Sequence, residues 1–404
     1  GEKKTQYEGT LDQLYNKDFK KFIEYNRQDV HLLVKMDAKL QFLDLSNVIA
    51  HQNSVLIPTT MGAVATTEQA IINECHRRGL IVPSRKARTE DQQTQAAGAY
   101  VAYPKKGIHE WIGAIDINSL YPSAIRALNM GPETIIGHLR PSMTQALIEG
   151  RMKEKKSFAE SWEGEFGARE FEAVHNRDPG VELVIDWETG ISEHYSAAEV
   201  WKLVFDSNKP WILSANGTLF TYETEGIIPG LLARWYSERK EMQKKAKGAE
   251  NDADKEYWDK RQLVRKILLN SAYGALLNEH CRFYDKRIGQ SVTLTGRQIV
   301  KHMMSNINET VSGIYTHDGD AIVYGDTDSC YFSGYPTLKE QIDNGQLPWN
   351  KDNVITLYDQ VCEAANATFP NFMMDAFHCP KSRSDVIAAG REIVAQSGLY
   401  ITKK

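Results

Sequence analysis

The sequence predicts an α+β fold: a small sheet carrying acidic residues, with a two-helix hairpin inserted between its strands. Three observations carry this. "EWIGAIDI", reaching Asp116, is a short, nearly continuous apolar run of the kind found in buried strands, and "AIVYGDTDSCYF", from Ala321 to Phe332, is rich in strand formers. Two helix-period segments, about 229–247 and 255–277, flank the acidic, Gly- and Asn-containing "GAENDAD". No internal repeat runs through the chain.

Taken in order, residues 10–45 read as helical, with Phe22, Tyr25, Asp29, Leu32 and Leu33 near one face. A second helix runs through "TTEQAIINECHRRG", entered at a Thr cap and stopped at Gly79. The polar "PSRKARTEDQQTQAAGA" reads as an exposed linker. After the "EWIGAIDI" strand, "SLYPSAIRAL" starts a helix with Pro122 in its first turn. Residues 138–210 are mixed and are expected to be a peripheral elaboration. "TLFTYETEGIIPGLLARW" gives a strand and turn leading into the hairpin. A longer helix over about 291–311 precedes the acidic strand pair, and the tail from 353 reads as a helix, a loop and two short strands.

At 404 residues the chain can bury more than one core, so two or three subdomains are expected. No apolar run approaches bilayer-spanning length, and the opening "GEKKTQYEG" has no signal-peptide character, which points to a cytoplasmic protein with no membrane partner. The five cysteines are scattered, form no metal-ligand pair and read as free thiols. A formal net charge of −5 argues against indiscriminate binding to polyanions but leaves room for local basic surfaces.

Three constellations carry chemistry. Asp116 closes an apolar strand, where an ionised carboxylate is costly unless paired or metal-bound; alone, it reads more simply as a cap of the next helix. Asp326 and Asp328 stand one residue apart, sharing a face if both lie on a strand and staying close in a tight turn. Hard carboxylate oxygens in such a cluster suit Mg²⁺, which keeps some waters and takes further ligands from substrate phosphates; a solvated Gly-Asp turn is the plainer alternative. In "KILLNSAYGAL", Lys266, Asn270, Tyr273 and Gly274 share one helical face, with Leu263, Ile267 and Leu268 toward the other. An ammonium, an amide, a ring and a bare backbone suit a nucleotide. Arg239, Lys240 and Lys244 on the preceding helix read as an exposed basic face, or as a phosphate clamp if they face Lys266. Tyr121 is ordinarily core; beside a metal site its ring is placed to pack under a sugar and exclude a 2′-hydroxyl.

In this order, "DINSLYPSAI", "RKILLNSAYGAL" and "VYGDTDS" resemble motifs A, B and C of the family B replicative DNA polymerases, the T-even-like phage group above all. The resemblance implies a polymerase palm, an antiparallel sheet with packed helices, and an inserted two-helix fingers hairpin. It implies DNA-directed DNA polymerase activity on primer-template DNA and dNTPs, with two Mg²⁺ ions or Mn²⁺ as substitute. Asp116, Asp326 and Asp328 would be catalytic, and the same three with the Ile117 carbonyl and Glu392 would serve the metals. Ser119, Leu120, Tyr121, Arg239, Lys266, Asn270 and Tyr273 would bind nucleotide, with Tyr121 as sugar gate. Gly98, Tyr100, Gly274, Lys403 and Lys404 would contact DNA. One departure is Gln243, one turn after Arg239, where a second basic residue is common in the family.

The implied division is 1–90, the end of an exonuclease domain with linker helices; 91–225, first palm part; 226–278, fingers; and 279–404, second palm part. "YNRQDV" resembles the last exonuclease motif, with Tyr25 and Asp29 as its remnant, but no further exonuclease acids precede it. "VIDWET", with Asp186 and Glu188, comes too late in the chain and reads as a surface strand and turn. No proofreading by this chain alone is expected. Separate polypeptides supplying exonuclease and thumb, a sliding clamp and other replisome proteins are expected partners, in an infected bacterial host if the source is viral. A non-catalytic scaffold and an RNA-making polymerase are the competing readings; the intact acidic set disfavours the first, and Tyr121 the second.

Overall fold

The computed structural model describes residues 3–84, 98–141 and 168–402. The 85–97 part of the expected linker, residues 142–167 of the elaboration, and Lys403 and Lys404 lie outside the described residues.

The first segment folds as α1 (Leu11–Lys17), α2 (Phe19–Leu40), α3 (Phe42–Asn53), a 3-10 turn (Ile57–Met61) and α4 (Ala63–Arg77). The single helix expected over 10–45 is broken twice. Asp18 ends α1 and caps α2, accepting from Lys21 N at 2.9 Å, and Gln41 turns left-handed between α2 and α3. α2 buries no residue, and Leu33 is 65 % exposed, because its aromatic positions pack only on near neighbours, as in the Tyr15–Phe22 contact at 5.3 Å. Periodicity marks an apolar face, not what covers it. α4 starts at Gly62, not at a Thr cap; Thr66 and Thr67 are buried inside it, and the helix stops before Gly79, at φ +70°.

The middle of the chain gives β1 (Gly107–Ile117), α5 (Leu120–Ala127), β2 (Ile135–Pro141), α6 (Ala168–Asn176), β3 (Glu182–Trp187), β4 (Ser192–Ser196), α7 (Ala197–Val204), β5 (Trp211–Leu213) and β6 (Thr218–Thr221). Then follow α8 (Ile227–Lys247), α9 (Asp252–Leu276), α10 (Lys286–Ser312), β7 (Ile322–Asp326), β8 (Ser329–Ser333), α11 (Tyr335–Asp343), α12 (Lys351–Phe377), α13 (Lys381–Ser384) and β9 (Ala389–Tyr400). The tail therefore forms one long strand, not two short ones. Asn366 fixes its start, donating to Ala389 O at 2.9 Å and accepting from Ala389 N at 2.7 Å.

Two antiparallel sheets result, one ordered β7-β8-β1-β9 and one ordered β4-β3-β2-β6-β5. The stretch expected to be peripheral thus supplies most of the second sheet. Leu139, Leu183 and Ile185 join Ile115 and Ile117 in one continuous core, since strands apolar on one face must bury it against something. α12 backs the first sheet with Val354, Tyr358, Val361, Cys362, Ala365 and Phe369, a regular buried helical stripe.

α8 and α9 pack on each other as a hairpin, begun by Gly226 and rejoined at Asn251, whose side chain caps α9 by accepting from Asp254 N at 2.9 Å. Its base is tied to α4. Glu74, almost wholly buried, takes hydrogen bonds from Arg77 (2.6 Å), Arg78 (2.8 Å) and Arg234 (2.8 Å). Farther along, Gln41 donates to Glu256 at 2.5 Å and Lys260 pairs with Asp44 at 3.2 Å, so the α2–α3 junction also touches the hairpin.

Candidate active site

The site begins where β1 ends. Asp116 stands in register with Ser329 of β8, and Ile117 N donates to Asp328 O at 2.8 Å. β7 and β8 are joined through Thr327 and Asp328, so Asp326 ends a strand while Asp328 lies in the turn; of the two arrangements open from sequence, the tight turn is present. Thr327 takes φ +58°, and the turn is fastened from several sides. Asp328 N donates to Asp326 O (2.6 Å), Ser329 Oγ to the same carbonyl (3.1 Å), and Thr327 N to Tyr100 O (2.9 Å).

This fastening brings the carboxyl groups of Asp116 and Asp328 into a mutual hydrogen bond. Burial, then the charges of Asp328 and Glu392, push Asp116 up to about 7. Asp328 is also raised, chiefly by burial, against the lowering effect of its backbone and Asp116 hydrogen bonds. Asp326 instead accepts from the Thr327 hydroxyl at 3.0 Å and acts on Asp328 through its charge. Glu392 sits at the β1–β9 register shift, where Ile115 faces Arg391 and Ala114 faces Ile393. It is exposed, yet its charge reaches both Asp116 and Asp328.

Among the described residues, no three His, Cys, Asp or Glu side chains converge on a point that would enclose a metal. The donor set nonetheless fits a hard cation. Two half-buried carboxyls face one another, burial and neighbouring negative charge raising both, and Mg²⁺ takes only one or two carboxylates when phosphates and water complete its shell. Asp116 is not the cap of α5. That place belongs to Ser119, left-handed at φ 51° and making no side-chain capping hydrogen bond.

Tyr121, in the first turn of α5, packs on Tyr273 of α9 with ring centroids 4.4 Å apart. Burial and the Asp328 charge raise the Tyr121 phenol to about 12, while burial and Tyr121 raise Tyr273. Lys266, Asn270 and Gly274 are exposed along the same face of α9, opposite buried Val264, Leu268, Ala272 and Ala275. Leu263, which the helical spacing sets toward the other side, is 39 % exposed. Arg239 and Gln243 of α8 both donate to Gln262, at 3.4 and 3.5 Å, one turn before Lys266. Arg239 and Gln243 therefore meet α9 one turn before Lys266.

Gly98 accepts from Arg297 Nε at 2.6 Å, and Tyr100 lies under Lys301 Nζ, 5.1 Å from its ring centre. Arg297 carries no motif signal, yet its charge reaches both Tyr121 and Tyr273; the only hint in the sequence is its helical spacing from Thr293. Tyr25 and Asp29 hydrogen-bond one another on α2, raising the Tyr25 phenol, and Lys4 pairs with Asp29 at 3.5 Å. Asp186 is bound by Arg140 at 2.6 Å and Glu188 by Arg287, as suits a surface strand and turn.

The fold and site define an α+β protein whose antiparallel sheet presents a carboxylate pair at a strand end, under a tyrosine floor. The profile of DNA polymerase family B matches residues 55–342, and the chain belongs to that family. It is 27 % identical over 344 residues to the DNA-directed DNA polymerase of Enterobacteria phage T4, covering 81 % of this chain and 36 % of the relative. The DNA-directed DNA polymerase of Escherichia phage RB69 is 28 % identical over 82 % of this chain and 36 % of its own length. DNA polymerase 2 of Aeropyrum pernix is 26 % identical over 79 % and 31 %. The chain thus spans about a third of the length of these relatives. No helix among the described residues is long and apolar enough to cross a membrane.

Proposed function

We propose that this chain carries the nucleotidyl-transfer centre of a DNA-directed DNA polymerase, adding dNTPs to the 3′-hydroxyl of a primer and releasing pyrophosphate. The observation that carries the proposal is the Asp116–Asp328 carboxyl pair, held by strand register and a fastened turn beside Tyr121. In this reading the four-stranded sheet is the palm, assembled from residues 91–225 and 279–404, and the α8–α9 hairpin, within 226–278, is the fingers.

Asp116 and Asp328, with Asp326, the Ile117 carbonyl and Glu392, would hold two Mg²⁺ ions. Such ions supply activation of the attacking hydroxyl and charge neutralisation at the phosphates. The chain's own groups do the positioning. Lys266 and Arg239 place positive charge along one seam for the triphosphate. The first amides of α5, at Leu120 and Tyr121 beyond the uncapped Ser119, are donors for phosphate oxygens. The Tyr121 ring bounds the sugar, Tyr273 and Asn270 line the base pair, and Gly274 gives it backbone to approach. Gly98 and Tyr100, joined to the catalytic turn through Thr327, meet the template.

The test is primer extension by the purified protein with Mg²⁺ and four dNTPs, against Asp328→Ala. Templated extension that the variant loses supports the proposal; extension that survives the substitution overturns it.

A further inference from the structure

Helix α10 passes directly behind the two tyrosines, and one face of it touches everything that fixes them. Thr293, Gly296 and Arg297 fall at i, i+3 and i+4, so they lie on that face together. The Thr293 hydroxyl, within 3.2 Å of Gly289 O and 3.3 Å of Gln290 O, also hydrogen-bonds the Tyr273 phenol. Gly296 is buried against Tyr121, where a Cβ would stand 3.1 Å from Tyr121 Cε1 and 3.3 Å from Leu120 Cδ2. Arg297 ties the same helix to Gly98 at 2.6 Å. Tyr121 is therefore set between Tyr273 on one side and a glycine on the other, with ring centroids 4.4 Å apart across the pair. It has no slack toward Tyr273, and its seat against α10 exists only because residue 296 lacks a side chain.

We propose that the Thr293–Gly296 face of α10 sets how far the Tyr121 ring reaches toward the nucleotide sugar, making Gly296 a specificity-determining position and Thr293 a positioning residue. This rests on Tyr121 acting as the sugar gate. A methyl group at 296 pushes the ring outward by a few tenths of an ångström, tightening the wall against a 2′-hydroxyl. Loss of the Thr293 hydroxyl unties Tyr273, and with it the partner that holds Tyr121 forward, so the wall loosens. The two substitutions move discrimination in opposite directions, which damage to the fold cannot do.

The experiment measures kcat/KM for dCTP and for CTP opposite the same template base, and compares their ratio. Gly296→Ala is expected to raise the ratio by about tenfold, the scale of one methylene in a fitted pocket. Thr293→Val is expected to lower it several-fold, and Thr293→Ser, which keeps the hydroxyl, to restore it. In a Tyr121→Ala background neither substitution changes the ratio. Equal ratios in all variants with dCTP incorporation retained, or shifts of the same sign from Gly296→Ala and Thr293→Val, overturn the inference while the polymerase reading stands. If the unmodified protein incorporates neither nucleotide, both fall. Should Gly296→Ala fail to fold, the Thr293 pair decides.

Discussion

Asp116 and Asp328 share one hydrogen bond between two carboxyl groups, one from the end of β1 and one from the turn between β7 and β8. Two anions so placed repel, and burial with neighbouring negative charge raises the pKa of both carboxyls. A divalent cation bound between them would relieve that repulsion.

Asp328→Ala is expected to cut primer extension by about a thousandfold or more, since the charge stabilisation removed is several kcal/mol. Because it also removes a like charge beside Asp116, the variant should melt no lower than the unmodified protein. Single-turnover extension and circular dichroism melts check the two halves.

Millimolar Mg²⁺ should raise the melting temperature, and more at pH 8 than at pH 6. Asp116, with its pKa raised to about 7, still holds a competing proton at the lower pH. Asp116→Asn should abolish the shift. An equal shift in that variant would place the cation elsewhere.

Lys266 lies exposed on the hairpin face, so its removal leaves no buried group unpaired. Lys266→Ala is expected to lower kcat/KM for dNTPs by roughly 10- to 100-fold, the worth of a charge-assisted hydrogen bond, without changing the melt. Arg239→Ala should cost less, because Arg239 is already engaged by Gln262. Steady-state kinetics on both variants rank them.

His138 and His302 are held down to about 4, His138 by burial and then the Arg287 charge, His302 by burial alone. Unfolded, each titrates near 6.5, so between about 4 and 6.5 the unfolded chain binds more protons than the folded one. Their stability contribution is full above pH 6.5 and is lost as pH falls through 4. Asp116 titrates in the opposite sense, so the check is comparative: urea melts of His302→Gln should show a flatter loss between pH 6.5 and 4.5 than the unmodified protein.

Glu74 anchors the hairpin base to α4. Burial alone would raise its pKa, but the hydrogen bonds from Arg77 and Arg78 and the charge of Arg234 bring it below the usual range. Glu74→Ala leaves three arginines facing a void and is expected to destabilise the fold by about 3 kcal/mol, with Glu74→Gln intermediate. Chemical denaturation measures both.

The residues of the candidate site were more legible in the sequence than their surroundings. Asp116, the Asp326–Asp328 turn and the Lys266–Gly274 face stand out because carboxylates among strand formers, and polar groups along one helix stripe, break local patterns. The hairpin ends fall within a few residues of expectation, since "GAENDAD" and Asn251 punctuate them. What the sequence hid depends on tertiary packing. The exposed α2 face looks the same as a buried one, and β9 reads as two strands because Gly398 breaks the run of strand formers, although it pairs with His109 in one ladder with β1. Thr293, Gly296 and Arg297 look like ordinary helix residues until α10 is laid behind Tyr121.

The turn at Thr327 has a consequence for any effort to harden this protein against heat. A β-branched residue at φ +58° is strained by about 1 kcal/mol or more, and Gly or Asn would sit there more comfortably. The Thr327 hydroxyl, however, donates a hydrogen bond to the Asp326 carboxylate, at 3.0 Å. Gly at this position would relax the backbone and remove that hydrogen bond from the acid. A screen that rewards thermal tolerance alone would therefore find its easiest gain at the residue beside the chemistry, and would drift toward sturdier, slower proteins.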